Sequence, residues 1–111
     1  MPVTIDESDW KYLRQLHKVA LERLSKRILE ELDQIRADSS KDFHERFLAA
    51  YDHINHRNKD MAMAFDDPRR SHAIAQIEAL LYLGLLTKDE FACFTQQSQE
   101  ILKSHLGVWH A

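Results

Sequence analysis

The sequence predicts an all-α protein: a single four-helix bundle with a long N-terminal helix, expected to work as a homodimer. Three observations lead there. Only two glycines and two prolines stand in 111 residues, too few for the turns of a β fold. Apolar residues recur every three or four positions over long stretches. The breaks between those stretches are short and carry capping residues rather than linkers.

The length suits one domain with one modest core. The first helix is expected over 7–37. Asp6 or Ser8 can cap it, and Asp9 suits its positive first turn. Trp10, Leu13, Leu16, Ala20, Leu24, Ile28, Leu32 and Ile35 form its apolar stripe, widened by Leu21 and Leu29. At 1.5 Å per residue such a helix is roughly 45 Å long. A compact domain of this size is only about 26–30 Å across. Part of the helix therefore needs a partner outside the bundle, and a second subunit is the economical one.

Asp38-Ser39-Ser40 interrupts the pattern, with Ser39 or Ser40 as caps for a second helix over 41–65. Phe43, Phe47, Ala50, Tyr51, Ile54, Met61, Ala62 and Phe65 give that helix an apolar side. Between Ile54 and Met61 the side is broken, because Arg57 and Asn58 occupy core-facing slots. Asp67 reads as an N-cap with Pro68 at the first helical position, which places a third helix over 68–84. From Ala73 to Leu86 it is apolar almost all round, so it is either central or a subunit contact; Ile74, Ile77, Leu81 and Leu85 are the expected self-association residues. Gly84 can stop it. Thr87 and Glu90 form a capping box that opens a fourth helix over 88–106, with a tail over 107–111 containing Trp109. The turn Gly84-Leu85-Leu86-Thr87-Lys88-Asp89-Glu90-Phe91 is similar to that of short C-terminal oligomerisation modules of bacterial proteins, a generic solution that carries no family assignment.

Charge excludes several activities. The formal net charge is -3, and no Lys/Arg-rich face is concentrated enough to neutralise a phosphate backbone, so no nucleic-acid partner is expected. A helix-turn-helix around Gly84 would offer Lys88, Asp89 and Glu90 to DNA, and its carboxylates would repel phosphate. No apolar run approaches the roughly 20 residues that span a bilayer, and Met1–Glu7 lacks the basic start and apolar run of a signal peptide. Cys93 is the only cysteine, which fits a cytoplasmic protein without disulfides.

Two clusters are candidate sites. His53, His56 and Asp60, with His72 across a break, could contribute metal ligands. One helix supplies only two or three of them, and neither HExxH nor a paired Glu-x-x-His motif is present. No cofactor is expected. Arg69 and Arg70, with Arg57 nearby, oppose the dipole at a helix start and so require an anion: Asp60, Asp66 or Asp67 from within, or the carboxylate of an acidic protein partner. Met61 is expected in the core with Met63, Cys93 half-buried, and His105 on the apolar stripe of the last helix. No nucleophile–base constellation appears. The expected function is therefore non-catalytic: a cytosolic regulator or adaptor acting by protein–protein contact, with a metal- or anion-binding bundle as the alternative.

Overall fold

The computed structural model describes residues 5–105; Trp109 and the expected tail lie outside the described residues. The described chain is all helical: α1 Glu7–Ala37, α2 Phe43–Phe65, a 3-10 turn Arg70–His72, α3 Ala73–Tyr82, α4 Lys88–Ala92 and α5 Gln96–His105.

The first helix has the bounds its apolar periodicity predicts. Asp6 stands at its N-cap without a side-chain bond. The second starts at Phe43, two residues later than expected, because the cap is neither serine. Asp42 accepts from the Glu45 amide at 2.8 Å, and the Glu45 carboxylate accepts from the Asp42 amide at 3.1 Å, a reciprocal capping box. Ser40 instead donates to Asp38 from its amide and hydroxyl.

The third helix departs most from expectation. Asp67 takes a left-handed φ of 48° and so caps nothing. Pro68 and the extended Arg69 continue the connection, and α3 begins only at Ala73. The buried Gln76 donates to the Asp66 carbonyl at 2.8 Å, tying the end of α2 to the start of α3 and holding this tight reversal. The C-terminus follows its sequence signal. Gly84, at φ 68°, donates to Leu81 O at 3.1 Å while Leu85 N reaches Leu80 O at 2.9 Å, a Schellman motif.

The fourth expected helix is divided in two. The Thr87–Glu90 capping box opens α4, which ends at Ala92, and α5 starts afresh at Gln96. The cause is Asp9. Its carboxylate, 2% exposed, accepts from Thr95 N at 3.0 Å, Thr95 Oγ1 at 2.7 Å and Ser98 Oγ at 2.6 Å. Thr95 can meet Asp9 with both amide and hydroxyl only if the helix is interrupted there, and Thr95 Oγ1 then receives the Ser98 amide of the new first turn.

The core lies at one end of the molecule. Leu13, Leu16, Ala20 and Leu24 of α1 pack with Ile77 and Leu80 of α3, Phe91, Phe94 and Leu102. It includes Ile74, Ile77, Leu81 and Leu85, which are 8, 0, 8 and 1% exposed. The all-round apolar helix is therefore central, and these four residues are enclosed by their own chain, which leaves them no face to offer a second subunit. Their expected role as the self-association surface is corrected accordingly. The molecule measures 52 × 28 × 23 Å, with a radius of gyration of 16.7 Å against about 13 Å for a compact domain of this length. The long dimension is the α1/α2 hairpin, which runs on past the short helices.

Candidate interaction surface

Where the short helices stop is set by two arginines one turn apart on α1. Arg23 donates to Leu85 O at 2.8 Å and, bidentately, to the Glu90 carboxylate at 2.6 and 3.0 Å. Arg27 donates to Leu83 O at 2.6 Å, supplying a carbonyl at the end of α3 with a cation. Tyr12 adds a hydrogen bond to Glu90 O at 2.7 Å; burial and the Cys93 thiol beside it push its hydroxyl up to about 12. Cys93 itself is exposed rather than half-buried. Beyond Arg27 the hairpin is a layer two helices wide and one helix thick.

The polar middle of α2 closes that layer. Arg57 donates to Glu31 through Nε at 2.9 Å and Nη2 at 2.6 Å, and to Asp60 through Nη1 at 3.0 Å. His53 Nε2 lies 2.8 Å from Glu31 Oε1 and must be the donor, because an ionised carboxylate only accepts. The Arg57 guanidinium first, and the His53 bond after it, lower the Glu31 carboxyl to about 2. The interruption of the apolar seam is thus an inter-helix clasp, and Arg57 is paired within the chain. Glu31, the group it closes on, was not singled out in the sequence because nothing marks which of α1's carboxylates faces α2.

The other candidates do not converge. Arg69 pairs with Asp67 at 2.9 Å, both exposed, and Arg70 donates to Ile5 O at 2.7 Å, so the anion Arg69 requires is internal. Neither arginine lies in the first turn of α3. Nor does the structure bring the four metal candidates together. His53 faces Glu31, Asp60 is held by Arg57, His56 is exposed, and His72 sits on the 3-10 turn with Nδ1 3.0 Å from Asp67 O. Among the described residues no group of three or more His, Cys, Asp or Glu is placed to hold a metal ion. His105 is exposed and bonds Glu78 at 2.7 Å, and Met63 is 48% exposed while Met61 packs against the core.

What stands open is apolar. Phe43, Phe47, Tyr51 and Ile54, spaced four, four and three, form one flank of α2 and are 77, 63, 59 and 43% exposed. Next to them on α1 lie Leu32 and Ile35, with Leu29 at the edge, 62% exposed. A groove of about 260 Å³ runs between the helices, lined by Leu32, Ile35, Phe43, Phe47 and Ala50, with Arg36 and Arg46 as its only charged residues. Arg46 is held at the hairpin tip: it donates to Lys41 O at 2.9 Å and Arg36 O at 3.0 Å, and its guanidinium lies 4.8 Å from the Phe43 ring centre. On the same side, nearer the core, a shallower groove of about 190 Å³ meets Arg14, His17, Lys18, Leu21, Phe65 and Pro68. Burial and the neighbouring Arg14 lower the His17 pKa, favouring the neutral ring beside Phe65. This side of α1 is turned away from Asp9, Arg23 and Arg27, which bind α3, α4 and α5.

In comparisons with known proteins, neither a family model, nor a curated protein, nor a solved structure matches this chain. No helix among the described residues is long and apolar enough to cross a membrane.

Proposed function

We propose that this chain is a non-catalytic interaction protein, a regulator or adaptor that acts stoichiometrically and as part of a dimer, through the bare distal side of its α1/α2 hairpin. The observation that carries the reading is the continuous stripe Phe43, Phe47, Tyr51 and Ile54, each more than two-fifths exposed and all on one flank. Single apolar residues on a surface are ordinary, whereas a contiguous patch of several hundred Å² marks a contact. Aromatic side chains beside an arginine also match the composition of interface centres. A reducing cytosol suits the lone, exposed Cys93. In this reading the four-helix arrangement is completed between chains rather than within one.

The test is site-specific photo-crosslinking in cells that express the protein naturally. A photoreactive residue at Phe47 is expected to give discrete covalent adducts. One at Tyr82, which is 79% exposed but outside the stripe, is expected to give none. Absence of adducts from position 47 sinks the proposal.

A further inference from the structure

We infer that the occupant of the distal hairpin face is a second copy of this chain, seated across a two-fold axis so that two hairpins stack as the two layers of a four-helix bundle centred on Ala50 and Phe47. This rests on the interaction reading above and names its partner. Three observations carry it.

The first is extent. Phe43, Phe47 and Tyr51 alone, at roughly 200 Å² per fully exposed ring, present about 400 Å² at their observed exposures. Leu29 and Ile54, 62 and 43% exposed, add to this. These five side chains supply the larger part of the roughly 800 Å² that each partner contributes to a stable interface.

The second is shape. The bare face is two helices wide, from Leu29 on α1 to Tyr51 on α2, with the groove between them. One helix laid in the groove would cover Phe43, Phe47, Leu32 and Ile35 and leave both edges wet. A second hairpin of the same width covers the groove and the edges together, the layer arrangement of a four-helix bundle.

The third is charge. A two-fold contact brings each surface against itself, so a like-charged centre would repel. None of the groove-lining residues is acidic. Of the two arginines there, Arg46 already has both of its hydrogen bonds on backbone carbonyls and its guanidinium on Phe43. Both arginines keep their charge at the hairpin tip, so the copy is seated antiparallel, each tip directed away from the other, with the uncharged Phe47, Ala50, Tyr51 and Ile54 nearest the axis.

Light scattering after gel filtration at high micromolar concentration is expected to give twice the 13.1 kDa chain mass. Phe43→Asp with Phe47→Asp is expected to return the monomer mass with unchanged helical circular dichroism, because neither side chain belongs to the core. As an independent measurement, Ala50→Cys in a Cys93→Ser background is expected to form an intermolecular disulfide under mild oxidation, and Tyr82→Cys in the same background is not. A strict monomer, a mass that grows without limit as the chains pair head to tail, or a dimer that survives the double Asp variant overturns the inference. If the chain is monomeric while position 47 still crosslinks to another protein, the distal side stands as a contact surface, and the second-copy inference fails together with the dimer in the reading above.

Discussion

Arg57 of α2 holds Glu31 of α1 in a two-pronged ion pair, 2.9 Å through Nε and 2.6 Å through Nη2, at the level where the short helices have already ended. It is the polar counterpart of the apolar seam nearer the core, and His53 bonds the same carboxylate. Because Glu31 is held at about 2, well below its ordinary value of 4.5, its contribution has a defined pH window. A depressed carboxyl stabilises the fold above the unfolded value, and the contribution disappears as pH falls from about 4.5 to about 2. With the pair partly solvated, the contribution at neutral pH is about 1–2 kcal/mol after screening. Thermal melts of the wild type and Glu31→Gln are expected to differ at pH 7 and to converge as pH approaches 2.

Asp9 joins the start of α1 to the start of α5, and the break at Thr95 exists to serve it. Asp9→Ala would leave the Thr95 amide and two hydroxyls without their buried acceptor. The expected cost is about 2–4 kcal/mol, since three buried groups lose one partner. Thr95→Val keeps the amide bond but removes the hydroxyl's bond to Asp9 and its cap on the Ser98 amide, and is expected to cost about 1–2 kcal/mol. Urea denaturation followed by circular dichroism measures both, and equal effects would contradict the shared-acceptor account.

The placement of α3 in the core separates two kinds of apolar residue. Ile77, fully buried, is expected to cost about 2–5 kcal/mol when replaced by alanine. Phe47→Ala, at 63% exposure, is expected to change the stability of the isolated chain by less than about 0.5 kcal/mol. Denaturant midpoints measured at low protein concentration, where association is suppressed, make the comparison.

Gly84 stands at φ 68° with nothing within 4 Å of the position a Cβ would take. The penalty for Gly84→Ala is therefore conformational rather than steric, about 1–2 kcal/mol for a left-handed non-glycine residue. A melt of the variant against wild type tests this; a negligible change would mean that the Schellman turn is not required for the α3–α4 connection.

Much of the architecture was legible in the chain. The periodicity of Trp10 to Ile35 bounded α1, the Thr87–Glu90 box opened α4, and Gly84 ended α3, because each signal acts over one turn of helix. The start of α3 was misplaced because Asp-Pro is a good local cap. The tertiary reversal, with Gln76 bonded to Asp66 O and Arg70 to Ile5 O, holds Asp67 in a left-handed conformation instead. Likewise a single fourth helix was the best local reading of 88–106, and only a carboxylate 86 residues away interrupts it at Thr95.

The sequence by itself determined that this is a helical protein whose first helix outruns its core, since periodicity and helix rise are local properties. Tertiary structure decided which apolar surface is enclosed and which is left open. α3 was as good an interface candidate as any on composition, and packing against α2, α1 and α5 buried it. Phe43 and Phe47 had the same periodicity as core residues, yet they lie on the side of the hairpin turned away from α3, α4 and α5, where none of those helices packs over them. Burial depends on what lies opposite a face, and no residue carries that information in its own neighbourhood.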